Sequence, residues 1–470
     1  MRVNTQGLRK LARDESGFVM ATVLGVSMIL FILVTATIVY TNYSISQTTH
    51  YQSRIRGLQV ADSGLNEYLY RMSINYDYNT ALTATLEDGS MYTATRALAP
   101  DGMVQITSIA TLQDGTSRTV CARCSPPHFA DYAIGSTADI LVGPETIIDG
   151  PIRTNGKISW SSGGTKSWVL GKVQSPVGYY RYNGSSYTAS TDSAHFKGGT
   201  VPVAQAGTLN FDKISTDIDA MKTKAGLLLP ASTTIDSGAK GYQIVFANNQ
   251  AIVSLVMAEG VTSTTSTVNV GRLTTKNPVT YAIPANGVIF VNNDNVWVKG
   301  TYTARVTICA SRTSSSDTKN SGCITVADSV LCGNKTNSAI TCGLLAQNSV
   351  WLPAWYSRKD NGLTPPGVMD PILTIEAAML AQNGSIGDGY SSRSGISIAK
   401  PQPYHDLNVT GASVGKGGIG FSSPTNVGSS TQTYGFLNRN YGFDPRLKTN
   451  PPPSWPKTGD SVVVSTWIEH

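Results

Sequence analysis

Between Phe18 and Tyr40 the chain runs for 23 residues without a charged side chain. As a helix, at about 1.5 Å per residue, such a run reaches roughly 35 Å, and the hydrocarbon core of a bilayer is about 30 Å thick. In lipid its backbone groups must bond to one another, so the run is expected to be one helix that crosses the membrane. Arg2, Arg9, Lys10 and Arg13 precede it, with Asp14 and Glu15. Basic residues stay on the cytoplasmic side, which sends the rest of the chain across. A cleaved secretory signal fits less well, because its apolar part is about 7–15 residues long and ends at a small-residue cut site. A buried core helix seldom lacks charge over such a length.

The apolar run does not end in a turn, and the first proline is Pro100. Ile55, Leu58, Ala61, Leu65, Tyr68, Leu69 and Met72 recur at helical spacing, with Gln59, Asp62, Asn66 and Glu67 between them. The pattern predicts a single helix from Phe18 to about Met72. Its first half is lipid-soluble and its second half is amphipathic.

These features come in an order: a short basic leader, Ser16-Gly17, Phe18, an uncharged helix, then Val60-Ala61-Asp62-Ser63-Gly64-Leu65-Asn66-Glu67. In that order the chain resembles type IV pilin-like proteins, in particular the PilX-type minor pilins, whose N-terminal segment ends in an Ala-Glu-Ala-Gly-Leu-like motif. Here Ala61, Asp62, Gly64 and Leu65 stand in its place. The resemblance implies cleavage between Gly17 and Phe18 by a prepilin peptidase at the cytoplasmic face. It also implies assembly with other pilin subunits and the pilus machinery, and anchorage in the cell membrane by a single pass through residues 18–40. The remainder becomes a cell-surface ectodomain, in a pilus after assembly. Most pilins carry Glu at the fifth mature position, and this chain has Thr22. A carboxylate in lipid is costly unless paired, so its absence fits a minor subunit at or near a filament tip.

Beyond Thr80 the period changes to two. Met91-Tyr92-Thr93-Ala94-Thr95 and Met103-Val104-Gln105-Ile106-Thr107 alternate as strands do. Asp88-Gly89, Asp101-Gly102 and Asp114-Gly115 recur every 13 residues, and Asp-Gly between alternating runs marks a hairpin because both residues accept positive φ. A four-stranded antiparallel meander is predicted, packed on the amphipathic half of the helix. After Pro126 come short β-branched runs such as Ile140–Val142, Thr146–Ile148, Val288–Val291, Val296–Val298 and Arg305–Cys309, with Gly, Asn or Asp between most of them. Leu344-Leu345-Ala346-Gln347-Asn348-Ser349-Val350 is repeated, 35 residues on, as Met379-Leu380-Ala381-Gln382-Asn383-Gly384-Ser385-Ile386. Self-similar short strands predict a stacked β-solenoid, with a β-sandwich as the competitor. Large minor pilins with such an insert are known in the resembled family. The tail also resembles theirs, with Asp444-Pro445-Arg446-Leu447, a Pro451–Pro453 run and Trp467-Ile468-Glu469. Phe211, Ile214, Ile218 and Met221 mark a short helix, expected to cover an edge of the solenoid.

The fold class expected is therefore α+β: a long helix with a pilin-like antiparallel sheet, plus a large β-solenoid-like body. The segments are a leader (1–17), the helix (18–76), the meander (77–126), the solenoid-like ectodomain (127–430, with its helix near 209–225), and a tail with a closing strand (431–470).

Charged residues make up 14% of the chain, against roughly 25% in an average soluble protein. The net charge of +6 is small for 470 residues, so bulk charge does not point to nucleic acid. Cys121, Cys124, Cys309, Cys323, Cys332 and Cys342 all follow the apolar helix. An even count in an exported domain favours disulfides, with the pairing open. Cys121-Ala122-Arg123-Cys124 reads as a local staple sooner than as a redox site, and the later spacings lack zinc-knuckle pairs. No metal or cofactor is expected.

Catalytic signatures are sparse. The five histidines lie in no HExxH helix, and no GxSxG occurs. Gly415-Lys416-Gly417-Gly418-Ile419-Gly420 fits GxGxxG, but without the strand-to-helix unit a nucleotide site needs it reads as a glycine-rich loop. No catalytic residue is assigned. The alternative is a membrane-anchored extracellular β-helix enzyme acting on polysaccharide, for which the carboxylates are too scattered. The strongest anomaly lies between Pro151 and Gly199, where Arg153, Lys157, Lys166, Lys172, Arg181 and Lys197 face Asp192 alone. Trp160, Trp168, Tyr179, Tyr180, Arg181 and Tyr182 there are the candidate ligand-binding residues, with Tyr187 nearby. Cations with exposed aromatics suit single-stranded DNA or anionic glycans, in a role of adhesion or DNA and surface binding. The bland alternative is ordinary solenoid packing.

Overall fold

The computed structural model describes residues 5–74, 78–98, 104–125, 127–162, 167–264, 267–312, 321–352, 372–387, 406–420, 436, 438–458 and 463–469. The chain divides into two compact units. The first joins Met1–Leu98, Val104–Cys124 and Val464–His470, and the second joins Ala99–Met103 with Ser125–Val463.

In the first unit a single helix, α1, spans Thr5–Ile74. It begins well before Phe18, where the sequence pattern placed its start. The residues from Leu8 to Glu15 are mostly strong helix formers, so nothing in them stops the helix. Strands β1 (Leu82–Thr85), β2 (Met91–Leu98), β3 (Val104–Thr111) and β4 (Ser117–Ser125) follow as an antiparallel meander, and Val463–Glu469 adds a fifth strand beside β4. The loops after Leu86 and Leu112 close with Gly89 at φ 75° and Gly115 at φ 80° while Asp88 and Asp114 keep negative φ, so they are three-residue loops that need the left-handed region only at the glycine, not two-residue turns that need it at both. Asp101-Gly102 lies outside the described residues. The buried face of α1 comprises Val60, Ala61, Leu65, Tyr68 and Met72, and the sheet answers with Tyr92, Ala94, Val104, Ile106 and Ala110.

The second unit is a coil of short parallel strands, joined at one end by a long antiparallel hairpin of Gln250–Thr264 and Thr267–Ala282 that pairs with strand 241–247. One face is all parallel, in the spatial order 173–174, 152–154, 134–136, 412–415, 378–381, 342–346, 306–310, 288–291 and 227–229. A second face runs 167–169, 146–149, 438–443, 406–411, 372–375, 330–332, 300–302 and 241–247. The third face has two parts: 419–420 through 386–387, 350–351 and 324–326 to 296–298, and a separate sheet of 140–142, 158–161, 179–182 and 187–189. The 35-residue repeat is literal. Leu344 stacks on Met379, Leu345 on Leu380 and Ala346 on Ala381, while Val350 pairs with Ile386 because Gly384 adds one residue.

The order of rungs is not the order of the sequence. The chain enters the stack in its middle at Ile134 and climbs one arm to Thr200. It then returns past the stack and restarts at Leu227 at the far end. From there it climbs back until Ser413–Gly415 pairs with Ile134–Ser136 and Arg439–Gly442 with Thr146–Asp149.

The all-parallel face is apolar on both sides. Ile289, Ile308, Leu344 and Met379 point into the coil. Phe290, Cys309, Leu345, Leu380 and Val414 point outward, where they meet Phe129, Phe211, Leu447 and Trp455 and the helix α2 (Ile214–Lys224) through Ile214, Ile218 and Met221. The helix thus covers a face of the coil, not the edge expected. A parallel sheet buried on both sides must have such a cover. Asp217 in the first turn and Lys222 and Lys224 in the last suit the helix dipole. The glycine-rich segment is a corner of the coil, not a loose loop: a Cβ on Gly417 would lie 2.6 Å from Ser385 Oγ.

Candidate functional site

The front half of α1 exposes its apolar side chains from Val19 to Tyr51, and none of its most apolar window is buried. Its hydroxyls are spent on the helix itself. Thr22 Oγ1 donates to the Val19 carbonyl at 2.8 Å, Ser27 to Leu24 at 2.9 Å, Thr35 to Phe31 at 2.6 Å, Thr37 to Leu33 at 2.7 Å and Thr41 to Thr37 at 2.8 Å. A helix that satisfies its polar groups internally can enter hydrocarbon. Gly17 and Phe18 are helical residues within α1.

The 61–67 motif sits where α1 meets the sheet. Ala61 and Leu65 are in the core. Gly64 lets the sheet approach: an added Cβ would lie 2.5 Å from both Ser108 Oγ and Tyr92 Cδ2. Asp62 Oδ1 accepts from Trp467 Nε1 at 3.1 Å, which ties the C-terminal strand to the helix. Glu67 accepts from the Tyr92 hydroxyl, with Arg71 Nη2 at 3.3 Å from its other oxygen. These two partners, the tyrosine first, hold the Glu67 carboxyl below its usual range. Burial and that carboxylate push the Tyr92 phenol up to about 12. Further along the helix, Ser53 donates to Asp114 at 2.7 Å and Arg56 pairs with Asp88, so both hairpin loops are fastened to α1.

In the second unit the aromatic and basic stretch forms the last rungs of one arm, and strand parity sorts its residues. Tyr179 is buried, and its hydroxyl donates to the Val173 carbonyl at 3.1 Å and to that of Val201 at 2.6 Å. Trp160 is also buried; the His195 ring stacks on it at 3.6 Å between centroids, and the Arg181 guanidinium lies 5.4 Å from its ring. Tyr180 and Tyr182 face the other way. Tyr187, on the neighbouring strand, packs against Tyr182 at 4.8 Å and Tyr180 at 6.4 Å, with Lys157 Nζ 3.8 Å from its ring. Trp168 stands apart on another strand, with Lys197 Nζ 3.7 Å from its ring.

The six candidate binding residues therefore do not form one surface. Tyr180, Tyr182 and Tyr187 form one face, Trp168 and Lys197 a second, and Trp160 and Tyr179 are packing. The cations divide in the same way. Arg153 is buried, donating to the Tyr132 hydroxyl at 2.7 Å. Lys157 bridges Asp139 at 3.1 Å. Lys172, Arg181 and Lys197 are exposed, and Lys166 lies outside the described residues. His195 is the member that composition did not single out. Tyr187, named in the sequence beside the candidates, joins their face by packing on Tyr182 across the strands. His195 lies 35 residues from Trp160, and no sequence spacing links the two.

All six cysteines are buried. The staple expected between Cys121 and Cys124 is corrected by strand geometry. Both lie on β4, where three residues span about 10 Å, beyond the roughly 7 Å a disulfide can bridge. Among the described residues no group of three His, Cys, Asp or Glu side chains is placed to hold a metal ion.

No protein-family model matches the chain, and no curated protein matches it. Among solved structures, the crystal structure of competence-associated pilin ComZ from Thermus thermophilus aligns at 13% identity and a TM-score of 0.38, over 88% of this chain and 97% of that one.

Proposed function

We propose that the chain is a minor subunit of a type IV pilus-like filament, held in the membrane by α1 until assembly, with its coil displayed outside the cell. The observation that carries this reading is the division of α1. Its second half gives one face to an antiparallel sheet, while the large apolar side chains of its first half, from Val19 onward, stand exposed among the described residues. A bilayer satisfies that half before assembly, and the same half on neighbouring subunits satisfies it afterwards. The basic leader and the Gly17-Phe18 bond are the processing site in this reading, and Thr22 suits a subunit at the tip. The Tyr180, Tyr182 and Tyr187 face, with Lys157 beside the Tyr187 ring, is the display surface, suited to stacking on bases or sugar rings of an anionic polymer.

N-terminal sequencing of the mature protein is expected to begin at Phe18, and a different mature terminus overturns the processing. Gold labelling of filaments is expected at tips, and uniform decoration of the shaft overturns that placement. Binding of single-stranded DNA or an anionic polysaccharide is expected to weaken with salt. It should fall about tenfold or more when Tyr180, Tyr182 and Tyr187 become Ala, given about 1–3 kcal/mol per stacked base. Tyr179 is left intact, since its removal would disturb packing.

A further inference from the structure

We propose that Cys332 and Cys342 are joined by a disulfide that locks one corner of the coil. The strands bring them together. Cys332 is the register partner of Tyr302, and Cys342 that of Val306. In that neighbouring rung only Thr303, Ala304 and Arg305 make the corner, while between the cysteines it carries the longer loop 333–341. Both sulfurs belong to the interior core. Cys332 Sγ lies 3.9 Å from the carbonyl oxygen of Ile340, two residues before Cys342. Both thiols bear on the Tyr302 phenol, which burial first and then these sulfurs push upward.

The loop is already held in place. Arg446 Nη1 lies 3.5 Å from Cys332 Sγ and donates to the Ile340 carbonyl at 3.2 Å. Glu376 accepts from the Cys332 backbone N–H at 2.8 Å and pairs with Lys335. The other cysteines do not compete. Cys309 points into the outer cluster, Cys323 stands at the opposite end of the strand that Cys332 closes, and Cys121 and Cys124 belong to the first unit.

The oxidant is a disulfide of an exported thiol-oxidising protein, or oxidised glutathione. Cys332, 8% exposed against 1% for Cys342, is the sulfur it reaches. The Cys332 thiolate attacks one oxidant sulfur, the oxidant's S–S bond breaks, and a mixed disulfide forms. Cys342 then gives up its proton and attacks Cys332 Sγ, forming the bond between the two cysteines and displacing the oxidant sulfur held in the mixed disulfide. Two protein thiols are oxidised, one disulfide is reduced to two thiols, and those thiols carry away the protons. The inference takes from the proposed function only that the second unit lies outside the cytoplasm.

The test uses the full chain, extracted in detergent with a thiol alkylator present, then denatured, digested without reductant and weighed. A second sample is reduced and then held in glutathione redox buffer before the same treatment. The expected result in both is a cross-linked pair of peptides containing Cys332 and Cys342, lighter by two hydrogen atoms, with Cys309 and Cys323 alkylated. A bond in the buffered sample alone supports the pairing and counts against export. Alkylation of both cysteines in both samples, or a bond from either to another cysteine, overturns the pairing.

Discussion

His128 and Asp131 show how one short segment can set a pH response. His128 is buried without a partner for Nδ1, and burial, reinforced by Lys457 and Arg305, pushes it down to about 3. Asp131 accepts the His128 backbone N–H at 2.8 Å, and burial pushes its carboxyl up to about 6. Their signs oppose. The unfolded histidine takes a proton near 6.5 and the folded one does not, so stability falls as pH drops below 6.5. The folded carboxyl takes its proton near 6 and the unfolded one near 3.8, so stability rises as pH drops from 6 towards 4. Each slope is about 1.4 kcal/mol per pH unit, and between pH 6 and 4 they offset. Chemical denaturation of Asp131→Asn is expected to lose stability steadily over that range, and His128→Gln to gain it. Parallel slopes in the two variants would show that at least one of the two groups does not titrate as described. Nothing in the sequence forecast this pair, because burial decides both groups and the burial comes from elements distant in sequence.

Among the elements, α2 matters more than its 11 residues suggest. It shields the outward row of Phe290, Leu345 and Leu380, which without it would be an exposed apolar stripe on a parallel sheet. Ile218→Ala is expected to cost the second unit about 2–5 kcal/mol, while Lys222→Ala, on the exposed side, should stay within about 0.5 kcal/mol. Thermal melting compares the two, and equal effects would mean that the helix is not a cover. The spacing of Ile214, Ile218 and Met221 made this helix legible in advance, but its target was not. A residue such as Leu345 reads as one more apolar position in a strand, and only the coil shows that alternate positions face two different cores. The aromatic stretch was half legible for the same reason. Its composition stands out, yet Tyr179 and Tyr180 are neighbours in sequence and point to opposite sides.

For the whole chain, the repeat at Leu344 and Met379 forecast stacking because adjacent rungs place like beside like. The entry into the middle of the stack left no such mark. Thr137 donates to the carbonyl of Lys416, 279 residues away, and parallel partners so distant carry no shared local pattern. The arm from Ile134 to Thr200 is therefore expected to depend on the later arm. A fragment of residues 127–210, lacking 412–415 and 438–443, should show no cooperative melt by circular dichroism. A sharp transition in that fragment would show that its rungs suffice alone. The seam has a consequence for size. Both arms grow away from it, so a rung inserted within either arm leaves the joining strands untouched. At about 4.8 Å per rung, the coil is an adjustable ruler with its zero mark in the middle. The distance from that mark to the aromatic end can be reset without altering the other arm.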